Sequence, residues 1–292
     1  MLGGGHVSDI IFILAMNGLV WGLIIALIAL GLSIIFGLLD IINVAHGDFF
    51  MLGTVFAWTV ILLTGNFWLA FLIVPLLGML LGSVVERVVI RPVENSAALS
   101  IVATFGLSLI LQEGVRATFG ATPKRILDPI GMTIPIMDFD YPVYRLFAAA
   151  VSIAAIIAFF IFLHRTKFGT WMRAVRQDRD TAIAMGVPAN RIFVVTFGLG
   201  TALAMFGGVV AAPITSVEFR LGLDVLPLCF MAVIIGGLGN LPGTAAAAVL
   251  LAFVEGIITS FTEPTTARII SLLFMSAVLL LRPQGIFARS TG

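Results

Sequence analysis

Charged side chains are scarce in this sequence. Only 11% of its 292 residues are Asp, Glu, Lys or Arg, whereas 60% are apolar; soluble domains carry about 25% charged residues. Such a chain cannot cover itself with a water-compatible surface, which excludes a soluble globular protein. Residues 10–39 and 49–85 carry no charge at all. Strands of a membrane barrel would instead alternate in polarity over about ten residues, so the sequence predicts an all-α polytopic membrane protein.

Chemically reactive motifs are also missing. The single cysteine, Cys229, excludes an internal disulfide. The three histidines lie far apart, and neither H-E-x-x-H nor G-x-S-x-G occurs, which weighs against an intramembrane enzyme. The glycine-rich stretch GGLGNLPG (236–243) lacks the Lys-Ser or Lys-Thr of a phosphate loop. We therefore expect no catalytic residues, metal or cofactor in this chain, and no nucleic-acid partner.

Apolar stretches predict about 8–10 transmembrane segments, since a helix spans the membrane with about 20 residues. Two further elements, 31–45 and 222–238, are too short or too rich in glycine for simple spans. A single helix over 8–45 would exceed about 50 Å, so we expect the chain to turn near Gly31 and re-enter. Residues 1–9 lack Lys and Arg, so we expect the first helix to stay as an anchor. The full-length candidates are 8–30, 47–63, 67–86, 96–119, 143–163, 191–212, 243–261 and 266–282.

Basic residues orient these segments by the positive-inside rule. Three regions hold ten of the sixteen Lys and Arg and are predicted to be cytoplasmic, together with both termini. The connection 120–142, rich in Pro and Asp, is then extracytoplasmic. The ten basic residues are Arg87, Arg91, Arg165, Lys167, Arg173, Arg176, Arg179, Arg191, Arg282 and Arg289.

The order of elements repeats within one transmembrane domain, 1–292. Residues 8–86 and 191–282 each read as a long span, a short glycine-bounded element, a polar or glycine knot, and two spans. Broken helices at corresponding positions of two halves indicate a transport pathway, because irregular backbone is tolerated in a membrane where it is packed in protein or lines a cavity.

The stretch IINVAHGDFFMLG (41–53) is the first such knot. Gly47 would permit a turn, and Asn43, His46 and Asp48 would satisfy freed backbone groups or face the pathway. Intramembrane ionisable groups are rare and tend to be functional. The alternative is that His46 and Asp48 cap a helix start at the membrane surface.

Two further sets are pathway candidates. In the helix 96–119, polar residues recur at every fourth position and share one face, although small polar residues also serve helix packing in lipid. The glycine knot 236–243 is the second set, with a tight turn as its alternative. The residues concerned are Ser100, Thr104, Ser108, Gln112, Gly236, Gly237 and Gly239.

A basic loop, 164–191, holds a predicted cytoplasmic helix at 172–185. It ends at Gly186 with Pro188 beyond, a typical stop pattern. Its apolar stripe, from Trp171 to Met185, suits either the lipid interface or a groove on a soluble partner.

Four blocks resemble one known family: GLSIIFGLLDIINVAHGDFFMLG (31–53), TFGLSLILQE (104–113), RAVRQDRDTAIAMGV (173–187) and GGLGNLPG (236–243). They are similar, in the family's order, to the permeases of branched-chain amino-acid ABC importers, of the H type (LivH-like). The resemblance implies a type II-like importer permease in a bacterial-type inner membrane.

The resemblance also implies partners. These are a second, related permease, two ATP-binding subunits that carry ATP and Mg²⁺, and an extracytoplasmic binding protein, all assembled in membrane lipid. Loop 171–187 is similar to the loop that contacts the ATPase subunits, with Asp178, Ala182 and Gly186 on the family pattern. The expected coupling residues are Arg173, Arg176, Asp178, Arg179, Ala182, Met185 and Gly186.

Other functions stay open. Urea and other amide or amino-acid importers use related permeases. A self-contained secondary transporter would need intramembrane acids for ion coupling, and Asp40, Asp48, Glu113, Asp224 and Glu255 are available. What powers uptake, ATP or an ion gradient, would discriminate the two classes of transporter.

Overall fold

The computed structural model describes residues 4–94, 96–137, 139–282 and 285. Regular structure in them is almost entirely helical, which confirms the all-α prediction. The exception is one antiparallel hairpin, in which Thr133 pairs with Pro142 and Ile136 with Phe139. The elements are α1 Gly4–Leu39, α2 His46–Thr64, α3 Ala70–Val85, α4 Ala97–Phe119, β1 Thr133–Ile136, β2 Phe139–Pro142, α5 Val143–Arg165, α6 Lys167–Gln177, α7 Arg179–Ala184, α8 Ala189–Ala211, α9 Leu221–Gly236, α10 Leu241–Ile258 and α11 Pro264–Leu281.

Seven spans in the described part of the chain are long and apolar enough to cross a membrane. One of them, Phe67–Val93, joins a 3₁₀ turn, α3, a π turn at Glu86–Ile90 and a second 3₁₀ turn. Helices α9 and α11 are apolar but shorter. Seven and two make nine segments, which lies within the predicted 8–10.

The predicted turn near Gly31 is wrong. Helix α1 continues unbroken to Leu39, which makes it 36 residues and about 54 Å long. Glycine at position 31 serves close packing instead, because a Cβ there would lie 3.2 Å from the carbonyl carbon of Gly200. The chain leaves the helix at Asp40, where φ is 55°. Residues 40–45 are the actual break, so 31–45 is not a separate helix.

Helix α1 forms the centre of the bundle, and its residues 24–35 are all buried. It packs most extensively on α10, where small residues bring the two backbones together. A Cβ on Gly18 would lie 3.2 Å from the Cα of Gly256, and one on Gly22 would lie 2.9 Å from the Cα of Val249. Such close approach replaces the hydrophobic driving force that helices in lipid lack.

Contacts between connections define two ends of the bundle. At the hairpin end (residues 120–137, 139–142 and 212–220), the Tyr141 hydroxyl donates a hydrogen bond of 3.1 Å to Oδ1 of Asn17 in α1, and Lys124 pairs with Val217. At the α6 end (residues 86–94, 164–188 and 237–240), a Cβ on Gly37 of α1 would lie 3.8 Å from Nε of Arg176. Helix α1 therefore runs from the hairpin end to the α6 end.

The expectation of both termini on one side is wrong for the described ends of the chain. The N-terminal part of α1 lies at the hairpin end, whereas a Cβ on Gly285, beyond α11, would lie 2.6 Å from the Cα of Gly237 at the α6 end. Nine described segments are an odd number, and the predicted even number depended on the false turn at Gly31. Arg289 and the first three residues lie outside the described residues.

Candidate functional site

The polar residues of the first break lie inside the bundle. Asn43 and His46 are fully buried, and Asp48 is 1% exposed. Helix α2 starts at His46, and the residue that precedes it, Ala45, makes no side-chain capping bond. His46 instead places Nε2 3.0 Å from the carbonyl oxygen of Ile28, in the middle of α1. The side chains of His46 and Asp48 are therefore both buried in the protein, although Asp48 does lie in the first turn of α2, as the capping alternative expects.

Two helices begin at the same buried point. Gly222, in the first turn of α9, lies so close to α2 that a Cβ on it would be 2.6 Å from Oδ1 of Asp48. A Cβ on Gly47 would in turn be 3.0 Å from Cβ of Leu226. Helix N-termini carry a partial positive charge of about half an elementary charge. The Asp48 carboxylate thus lies where the dipoles of α2 and α9 both stabilise it.

The predicted polar face of α4 is confirmed. Its four polar side chains are buried, whereas Val102 and Ile110 on the same helix are 68% and 69% exposed. The polar face therefore points into the protein and the apolar face outward, as a helix at the edge of a membrane bundle requires. The four residues are Ser100, Thr104, Ser108 and Gln112.

This polar face holds the break in place. The backbone N–H of Val44 donates a 3.2 Å hydrogen bond to Oγ1 of Thr104, and Nε2 of Gln112 donates one of 2.9 Å to Oδ1 of Asp48. Ser100 bonds back to the Ser96 carbonyl of its own helix, at 3.0 Å. The structure thus joins the α4 face and residues 43–48 into one site, which we call the polar break.

The glycine knot lies elsewhere, at the α6 end. Gly237 and Gly239 have φ angles of 91° and 75°, and the N–H of Asn240 bonds the Gly237 carbonyl at 2.9 Å, so residues 237–240 form a tight turn. Gly236 ends α9, 16 residues long, or about 24 Å. Helix α9 therefore separates the glycine knot from the polar break, and the predicted pathway residues form two groups.

The predicted helix 172–185 is two helices. Helix α6 ends at Gln177, and Asp178 caps α7 by accepting a 3.0 Å hydrogen bond from the backbone N–H of Thr181. The Thr181 hydroxyl donates a second one, of 2.6 Å. The Thr181 side chain and then its backbone N–H lower the pKa of Asp178. Asp favours such a capping position over a helix interior, which explains the break.

Helix α7 is attached to the bundle mainly through Arg179 and Ala182. The Arg179 guanidinium lies 3.4 Å from a carboxylate oxygen of Glu94 and 4.8 Å from the ring centre of Phe193. Ala182 is 5% exposed. Met185 is 81% exposed, so it does not belong to the buried stripe, and its apolar side chain is accessible at the α6 end.

Helix α6 contacts α5, α1 and the glycine knot. Arg173 donates a hydrogen bond to the Leu163 carbonyl. Arg176 lies over the knot, since a Cβ on Gly239 would be 2.7 Å from its Nη2. Arg176 also lies beside the C-terminal end of α1, which has no basic residue in its own last turn. The positive charge of Arg176 is favourable there, because a helix C-terminus carries a partial negative charge. The two arginines line a small pocket together with Gly37 and Gly239.

Comparison with known proteins identifies the family. The family described as "Branched-chain amino acid transport system / permease component" matches residues 14–281. This chain belongs to that permease family. No solved structure matches it.

Several curated relatives of the permease carry matching descriptions. It is 28% identical over 290 residues to the high-affinity branched-chain amino acid transport system permease protein LivH of Salmonella typhimurium. It is 27% identical over 293 residues to the corresponding protein BraD of Pseudomonas aeruginosa. Each likeness covers 94% of both chains. The autoinducer 2 import system permease protein LsrD of Escherichia coli is 24% identical over 64% of this chain and 58% of its own.

Sequence reasoning missed two parts of the permease's site. The first is Gly222, which allows the starts of α2 and α9 to meet. Its only indication in the sequence was a glycine at the start of the short element 222–238. The Ile28 carbonyl, which His46 bonds, is a backbone group and has no sequence signal. Among the described residues, no group of three or more His, Cys, Asp or Glu side chains could hold a metal ion.

Proposed function

We propose that this permease is the membrane-spanning subunit of an ATP-driven ABC importer for branched-chain amino acids, in a bacterial-type inner membrane. The observation that carries the proposal is the likeness, over 94% of the chain, to permeases described as transporting these amino acids. The meeting of two helix starts inside the bundle supports it, because broken helices at the middle of the membrane are a recurrent feature of transporters.

The polar break forms the central part of the pathway in this proposal. An aliphatic amino acid needs a mostly apolar passage with few polar anchors. The break supplies this combination, because its polar residues are followed in the chain by the buried Phe49 and Phe50, and the Phe49 ring contacts that of His46.

Helices α6 and α7 transmit the work of ATP hydrolysis in this proposal. They would contact two ATP-binding subunits, which carry ATP and Mg²⁺, at a cytoplasmic α6 end. The position of Arg176 over Gly239 supports this role, because movement of α6 then acts on the glycine knot and, through α9, on the polar break. A second, related permease and an extracytoplasmic binding protein complete the proposed assembly.

Two variants test the coupling. Gly186→Pro places proline, fixed at a φ of about −65°, where the backbone has a φ of 85°. Arg176→Glu reverses the charge over the knot. We expect both to uncouple ATP hydrolysis from leucine uptake in proteoliposomes, while the complex still assembles. Normal uptake per ATP hydrolysed in both variants would overturn the coupling role.

Purification of a tagged chain in mild detergent tests the assembly. Recovery of two ATP-binding chains and a second permease supports the importer, and uptake must then follow ATP. A stable chain recovered alone, with uptake abolished by a proton ionophore, would identify a secondary transporter instead.

Another imported solute is the second candidate, because the relative LsrD is described as an autoinducer 2 import permease. Competition against labelled leucine by valine, isoleucine, urea and short amides separates these substrates. Inhibition by the branched-chain amino acids alone supports the first proposal.

A further inference from the structure

Three polar side-chain atoms of the polar break have no hydrogen-bond partner among the described residues. They are Nδ2 and Oδ1 of Asn43 and Nδ1 of His46, and both side chains are fully buried. Buried polar atoms are nearly always paired, and leaving them unpaired destabilises a fold. The presence of three such atoms on residues three apart therefore needs an explanation other than stability.

The unpaired atoms have defined roles as donors and acceptors. The Ile28 carbonyl, 3.0 Å from Nε2 of His46, can only accept, so Nε2 carries the proton. In the neutral ring, Nδ1 is then a free acceptor. Asn43 adds a second acceptor, Oδ1, and a donor, Nδ2. The break thus offers two acceptors and one donor group, without a full charge on either side chain.

These groups are held in position by their neighbours. Thr104 lies beside the backbone on both sides of Asn43, 3.2 Å from the N–H of Val44 and 3.3 Å from the carbonyl of Ile42. His46 is fixed by Ile28 and by an edge-to-face contact with Phe49, with 6.4 Å between ring centres. The unpaired atoms are therefore preorganised.

We propose that Asn43 and His46 form a subsite for the head group of an amino acid, which binds its α-ammonium and α-carboxylate during passage. This inference rests on the proposed function. The ammonium donates to Nδ1 of His46 and Oδ1 of Asn43, and the carboxylate accepts from Nδ2 of Asn43. The negative charge of nearby Asp48 favours the ammonium end.

The surroundings suit the remainder of such a substrate. The rings of Phe49 and Phe197 meet edge to face at 6.3 Å and provide apolar surface next to His46 for an aliphatic side chain. Neutral dipoles hold a zwitterion weakly, which suits a pathway, since a transported solute must bind and also leave. Because the subsite is fully buried, the helices around it must move apart to admit the substrate.

Two variants separate this role from a structural one. Asn43→Leu removes both unpaired atoms at similar volume, and His46→Gln keeps a donor for the Ile28 carbonyl but has no acceptor at the position of Nδ1. In the assembled importer, we expect each to lower leucine uptake about tenfold or more, as the loss of a hydrogen bond to substrate does. The unfolding temperature should stay unchanged or rise.

Ser152→Ala is the matched control. Its hydroxyl is also fully buried and unpaired, but it lies on α5, away from the break. It should keep the stability of the wild type or gain some, and it should transport leucine normally. A photoreactive diazirine analogue of leucine should label residues 40–53, in competition with leucine but not with 4-methylpentanoate, which lacks the ammonium.

The outcomes separate the two proposals. Wild-type uptake of leucine together with full uptake by Asn43→Leu and His46→Gln overturns the subsite and leaves the importer standing. A lower unfolding temperature in both variants also overturns it, because the unpaired atoms would then be structural. A wild-type importer that carries no amino acid of any kind overturns both.

Discussion

The Gln112 amide nitrogen lies 2.9 Å from Oδ1 of Asp48, and it lies 2.9 Å from Oγ of Ser108 as well. This arrangement ties α4, which has most of its surface outside the core, to the first turn of α2 inside the bundle. Asp48 has no ion-pair partner in the described part of the chain, so its charge is stabilised by this amide, by Ser108 and by the two helix N-termini.

Gln112→Leu should destabilise the protein by roughly 1–3 kcal/mol, because it removes one hydrogen bond to the buried Asp48 carboxylate. The heat-induced loss of the monodisperse peak in size-exclusion chromatography measures this effect. Glu113→Gln is the control, since the side chain of Glu113, next to Gln112 in the chain, is 64% exposed. Equal unfolding temperatures for the two variants would show that the Gln112–Asp48 bond adds no stability.

Gly222→Ala should disturb the meeting of α2 and α9, because the new Cβ would lie 2.6 Å from Oδ1 of Asp48. Overpacking of this kind costs about 1–3 kcal/mol. Gly106→Ala on α4 is the matched control, since nothing lies within 4 Å of its added Cβ and alanine is the better helix former. A Gly222→Ala protein as stable and active as Gly106→Ala would contradict the close approach.

Asp178→Ala should fray α7, because it removes the acceptor for the backbone N–H of Thr181. Hydrogen exchange of residues 179–184 should accelerate. Asp180→Ala, which removes a neighbouring acid that does not cap the helix, should change exchange far less. Similar exchange in both variants would mean that charge, and not the cap, stabilises α7.

The same cap predicts a pH dependence. The folded pKa of Asp178 is lowered by its bonds to Thr181, so its contribution is complete above the usual Asp pKa of about 3.9. The contribution is lost as the pH falls through the lowered value. Protection of α7, corrected for intrinsic exchange, should therefore be constant between about pH 5 and 8 and decline only in acid. A decline near neutral pH would contradict this assignment.

The opposite orientation of the two ends can be tested with added cysteines. Cys229 is fully buried, so the native background should be low. An impermeant maleimide should label Leu127→Cys at the hairpin end from outside intact cells. It should label Asp180→Cys, at the α6 end, only after the membrane is permeabilised. The reverse pattern would invert the orientation derived from the positive-inside rule.

Periodicity predicted the membrane helices and the buried face of α4 because both depend on local spacing along a helix. Glycine was less informative, since it serves two purposes. At Gly239 it allows a left-handed turn, which was the alternative interpretation of the glycine knot, whereas at Gly31 it allows a neighbouring helix to approach. Only the neighbours in three dimensions distinguish these uses. The turn predicted at Gly31 added one membrane segment and placed the N-terminal end on the wrong side of the bundle.

The polar break was located from the sequence, but its contacts were not. Asn43, His46 and Asp48 were recognised as polar residues within an apolar stretch of sequence. Their partners include a backbone carbonyl of α1 and side chains of α4 about 60 residues away, which no local pattern encodes. Nor does a sequence show that some polar atoms remain unpaired, because that is a property of the whole packed environment.

The glycine seam between α1 and α10 has a mechanical consequence. Where Gly18 meets Gly256 and Gly22 meets Val249, the two backbones lie against each other. No large side chain at these points has to leave its packing position when one helix slides along the other. Shear of packed helices is a common form of conformational change. Helix α1, the longest described helix, can therefore slide along α10 as a rigid rod. Such a shift would change its contacts with the connections at both ends of the bundle.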